Sequence, residues 1–235
     1  MYWIIAAFCA YFIKGLCGFA NTLVFNTILM FTVTNIEISP VELMLSFPSN
    51  IILTVKNRKN LNIKIWLPVG IMVLCGSVVG VIFLKNTDTA IIKKIFGAVV
   101  ICIALEMLFS DKVKRTGKNN ILLTALGILS GILCGLYGIG ALLAAYMNHV
   151  SDDQNDFKGN LNMIFCMEGA FRIVLYIATG IITLQTFKNA VMLYPVMLIA
   201  LFIGMKSSRG LDDKIVRKIV IVMLIISGIA LIVRS

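Results

Sequence analysis

The sequence predicts an all-α polytopic membrane protein. It is read as an inverted repeat of two halves, each a glycine-broken half-helix hairpin followed by three transmembrane helices. Composition is the first reason: of 235 residues 60% are hydrophobic and 14% charged, against about 25% charged in an ordinary soluble domain. The second is the run of apolar stretches at about 2–33, 38–55, 65–84, 91–109, 121–147, 161–182, 189–205 and 215–233, most of them near the ~20 residues a helix needs to cross a bilayer. The third is repetition. Gly15, Leu16, Gly18 and Leu23 recur 120 positions later as Gly135, Leu136, Gly138 and Leu143.

The first run is too long for one untilted crossing and is interrupted by "GLCGFANTL". Glycine weakens a helix by about 1 kcal/mol against alanine and supplies the conformations a reversal needs. Two half-helices meeting at Gly18 are therefore expected, the second starting near Asn21 and Thr22. Lys14 follows about 12 apolar residues, roughly 18 Å of helix, deep enough to be a functional candidate. It either caps the end of its own half-helix or contacts an anion. The run lacks a basic leader and a small-residue cleavage site, so it is expected to stay in the fold.

In the second run Pro48 predicts a kink, and Ser46, Ser49 and Asn50 serve either helix packing or a polar cavity. The third carries Pro68 and "GSVVG", whose Gly76 and Gly80 suit close helix contact. In the fourth, Glu106 lies near the interface. The charged loop "SDKVKRTGKNN" then joins a first repeat, 1–115, to a second, 116–235.

The fifth run, with "GILCGLYGIGALL", repeats the broken segment: Gly138 and Gly140 mark its turn, and a second half-helix follows from about Ala141. In the sixth, Glu168 precedes Arg172 by four residues, the favourable order for an ion pair on one helix face. Pro195 in the seventh mirrors Pro68, and "DDKIVRKI" before the eighth mirrors "DTAIIKKI" before the fourth. His149, the sole histidine, is expected in a solvated loop. The cysteines fall inside apolar runs without a CxxC pair, so neither a disulfide framework nor a metal site is expected.

Loop charge chooses between two topologies. If every run crosses, Lys and Arg in loops and flanks divide 9 to 10 between the faces; if runs one and five are hairpins they divide 14 to 5, with loops near 60, 115, 154 and 212 together. The second division satisfies the positive-inside rule and makes those loops cytoplasmic. A net charge of +10 dispersed over such loops faces lipid and leaves no basic domain for nucleic acid.

With a glycine-rich segment opening each half, the stretch Arg172, Leu175, Tyr176, Gly180 ("R-x-x-L-Y-x-x-x-G") and a proline-led seventh segment followed by "G…RKIVIVMLIISGIALI", the chain resembles the TauE/SafE family of sulfite exporters. The loops Gly18-Phe19-Ala20-Asn21 and Gly138-Ile139-Gly140-Ala141 carry fewer glycines than that family's usual G-x-G-G-G. The resemblance implies movement of a small inorganic or organosulfur anion (sulfite, sulfonate or thiosulfate class) across a prokaryotic plasma membrane.

Paired glycine-interrupted segments in two related halves point to a transporter's substrate site. The residues expected there are Lys14, Gly18, Asn21, Thr22, Asn50, Gly138, Gly140, Glu168 and Arg172. Helix N-termini offer amide donors to an anion, and a guanidinium matches oxyanion geometry. The reading is a secondary transporter with no cofactor and no metal, protons as a candidate coupling ion, and homo-oligomerisation open. A passive anion channel is the alternative. An intramembrane enzyme lacks HExxH, GxSxG or facing aspartates to support it, so no catalytic residue is assigned.

Overall fold

A computed structural model of the chain describes residues 2–29, 32–86, 120–138 and 154–208, with isolated positions in 97–108, 140–151 and 218–229. The fourth and eighth runs, the charged linker, Glu106 and His149 lie largely or wholly outside them. Every described element is helical: α1 Tyr2–Cys17, α2 Asn21–Leu29, α3 Asn35–Lys56, a short 3-10 turn Arg58–Asn60, α4 Ile63–Asn86, α5 Asn120–Tyr137, α6 Gln154–Ala178 and α7 Leu184–Ser207. Stretches of α3, α4, α6 and α7 are each long and apolar enough to cross a membrane. Their ends overrun the apolar runs, except that α6 stops at Ala178, short of the end of its run. The start of α6, seven residues ahead of its run, passes through polar residues that bind neighbouring backbone.

The first run breaks where the glycine pattern predicts. Gly18 takes φ +90° and Ala20 φ +70°, and the Trp3 and Phe25 rings then meet edge to face with centroids 5.9 Å apart. A continuous helix would separate residues 3 and 25 by about 33 Å, so the chain turns back along α1. The fifth run repeats this backbone: Gly138 takes φ +70°. The Gly18 and Gly138 amides each donate over 2.7 Å, to Lys14 O and Cys134 O, and Val24 to Ala20 O is matched by Ala144 to Gly140 O. All four pairings keep the 120-residue offset.

Packing follows the same pattern. α1 lies on α7 and α4 on α5, α3 pairs with α6, α3 also touches α7 and α4 touches α6; exchanging the halves leaves these five pairings unchanged. Close approach rests on glycine. A Cβ at Gly15 would stand 2.5 Å from Leu201 O, and one at Gly135 would stand 2.5 Å from Ser77 O. Gly76 and Gly80 face Gly131 and Gly135, the small-residue contact their spacing predicts.

Pro48 remains inside a continuous α3. A proline there leaves the carbonyl four residues earlier without its helical donor, and the Tyr194 hydroxyl supplies one, donating to Met44 O over 3.3 Å. At the end of α3, Asn160 of α6 donates to Asn60 O and accepts from the Asn62 amide over 2.8 Å. The loop after α3 and the start of α6 thus occupy one end of the molecule.

Candidate functional site

The two breaks stop α1 and α5 inside the protein and leave helix ends to be satisfied by neighbours. α6 serves both. Lys158 Nζ donates to Leu16 O over 3.1 Å and Asn162 Nδ2 to Gly18 O over 3.0 Å. Three to four turns further along, Arg172 Nη1 donates to Cys134 O and the Tyr176 hydroxyl to Gly135 O over 3.3 Å. Between these contacts Phe165, Glu168, Gly169 and Arg172 line a cavity of about 20 Å³, room for about one water.

α3 faces the cavity from the other side with Leu43, Ser46 and Asn50, and Glu42 stands one turn before Ser46, outside that lining. Lys14 Nζ donates to Asn50 Oδ1 and, over 3.3 Å, to Ser46 Oγ, and stands 5.9 Å from the centre of the Tyr11 ring. Of its two readings, capping of α1 is not seen: Lys158 and Asn162 hold that end and the lysine reaches across to α3. Arg172 Nε lies 3.1 Å from Glu168 Oε1 without the alignment of a hydrogen bond; Ser77 Oγ donates to the same Glu168 oxygen over 3.2 Å.

Glu42 completes the cluster. Its Oε1 accepts from Asn21 Nδ2 and Thr22 Oγ1, each at 2.6 Å, which ties the first turn of α2 to α3. Gly138 sits against it: a Cβ there would be 2.9 Å from Arg172 Nη1, 3.0 Å from Glu42 Oε2 and 3.1 Å from Thr22 Cγ2. Lys14, Glu42, Glu168 and Arg172 are all at most 3% exposed.

Of the residues expected at the site, Asn21, Thr22, Asn50, Gly138, Gly140, Glu168 and Arg172 line the cavity. Lys14 stands behind it through Ser46 and Asn50. Gly18 turns elsewhere, toward Lys158 and Asn162. Sequence reasoning passed over Glu42, although an acid inside an apolar run, one and two turns before Ser46 and Asn50, carries the same signal that singled out Lys14. It also counted Lys158 as a loop charge.

The site offers two buried cations, amide and hydroxyl donors, and two carboxylates that balance the cations. Among the described residues no three His, Cys, Asp or Glu side chains gather where they could hold a metal. A sequence model of the family described as "Sulfite exporter TauE/SafE" matches residues 3–231. No curated protein and no solved structure matches the chain.

Proposed function

Since the chain belongs to the TauE/SafE sulfite exporter family, a family of membrane transporters of small anions, we propose that it is a secondary transporter of sulfite, sulfonate or thiosulfate. The anion is held between the two glycine breaks, near the middle of a prokaryotic plasma membrane. The observation that carries this is the meeting of α2's first turn, the Gly138 turn and Arg172 around one cavity, with Lys14 behind it on Ser46 and Asn50. A buried ion pair alone would account for Arg172 and Glu168. It would not account for a lysine with neutral partners beside two broken helices.

In this reading Arg172 presents its planar fork to the anion, and the Asn21 side chain and the α2 backbone amides donate from the opposite side. Lys14 supplies charge through Ser46 and Asn50. The halves 1–115 and 116–235 are inverted with respect to each other, with runs one and five as hairpins. The reversal at Gly18, the exchange-symmetric packing and the meeting of the Asn60 loop with α6 support that arrangement.

Uptake into liposomes containing the purified protein tests the reading. Labelled sulfite, methanesulfonate and thiosulfate, each offered alone, should include at least one anion that enters faster than into protein-free liposomes and saturates with concentration. Uptake of none of the three above the protein-free rate would overturn the proposal. A rate that rises without saturation would favour a channel.

A further inference from the structure

The site's four buried charges cancel when both acids are ionised, which leaves no net charge to receive an anion. Glu168 is engaged by Arg172 and Ser77 through Oε1. Glu42 is different. Its Oε1 holds two short hydrogen bonds, whereas Oε2 has no partner although the residue is only 1% exposed. That bare oxygen lies beside the Gly138 turn and Arg172.

A carboxylate oxygen buried without a donor is costly and repels an incoming anion. As a carboxylic acid the same oxygen carries a hydrogen, which an oxyanion is well placed to accept. Among the described residues, the titratable groups around Glu42 are Tyr11 and Lys14 of α1, Cys134 of α5, Glu168, Arg172 and Tyr176 of α6, and Tyr194 of α7, which reaches α3 at Met44. α2 contributes the neutral Asn21 and Thr22. None of these supplies a donor to Oε2.

We propose that Glu42 takes up one proton at Oε2 for each singly charged sulfur oxyanion bound, so that proton and monoanion cross together. This rests on the transporter reading. The proton comes from water on the side where the anion enters, forms the Oε2–H bond, and returns to water where the anion leaves. With Glu42 protonated the cluster carries one positive charge, which a monoanion neutralises and a dianion overshoots. The substrate class narrows to hydrogensulfite and sulfonates, and sulfate is disfavoured.

The test uses liposomes holding the purified chain, with the membrane potential clamped at zero and an acid-outside pH gradient. Labelled methanesulfonate, singly charged throughout the working pH range, should accumulate about tenfold per pH unit, the ratio set by one-to-one coupling. Labelled sulfate should not. In Glu42→Gln the accumulation ratio should fall to about one, and Glu42→Asp should restore gradient dependence. Parent protein that carries methanesulfonate with a ratio of one overturns the coupling and leaves the transport reading standing; parent that carries none of the sulfur anions overturns both. Accumulation in Glu42→Gln equal to the parent's removes Glu42 as the proton carrier, and equal accumulation of sulfate removes the selection for monoanions. Should Glu42→Gln not insert, a trapped pH dye in the parent counts protons directly. One per methanesulfonate is expected, and none overturns the proposal.

Discussion

Arg172 illustrates what a buried charge requires in this fold. Its guanidinium has Glu168 one turn before it, the Cys134 carbonyl at one amino group and the Tyr176 ring 5.9 Å away. Removing one member of a buried pair leaves the other uncompensated, at about 3–5 kcal/mol in soluble proteins, whereas removing both costs far less. Arg172→Gln and Glu168→Gln are each expected to lower the melting temperature of the purified protein markedly, and the double variant to lose less than their sum. Additive losses would show that the two charges are not coupled. Lys14 and Arg172 were legible in the sequence because a charge deep in an apolar run is conspicuous. Glu42 carries the same signal, but its hydrogen bonds from Asn21 and Thr22 across the break were not legible, since only the fold brings those residues to it.

At the scale of elements, the breaks and the helix contacts share one residue type but use it differently. Gly18 and Gly138 supply positive φ, whereas Gly15 and Gly135 admit a facing backbone. Because the latter two meet equivalent carbonyls at 2.5 Å, Gly15→Ala and Gly135→Ala should each destabilise by about 1–3 kcal/mol through overpacking. Melting curves that leave one of them unaffected would show that the two contacts are not equivalent. The broken segments could be read from glycine recurring at a fixed offset in apolar surroundings. The beginning of α6 could not: hydropathy reports contact with lipid, and the turn around Asn155 to Asn162 is polar because it binds the ends of α1 and the Asn60 loop.

At the scale of the molecule, the fold sets which loops share a face. Lys59, beside the Asn60 loop, and Asn155, in the first turn of α6, should be labelled from the same side when replaced singly by cysteine in a cysteine-free chain, and Gln185, across α6, from the other. Labelling of Lys59→Cys and Asn155→Cys from opposite sides would remove the hairpin topology. Between the two breaks lies a cavity of about 20 Å³. The central claim is that a sulfur oxyanion binds between those breaks through Lys14 and Arg172, and ligand-induced stabilisation tests it most directly. Methanesulfonate at about 100 times its dissociation constant should stabilise the parent by about 2.7 kcal/mol, read as a rise in melting temperature. Folded Lys14→Gln and Glu168→Gln/Arg172→Gln should lose at least half of that rise at the same concentration, as a tenfold or greater weakening requires. Stabilisation retained undiminished in both variants would contradict the account.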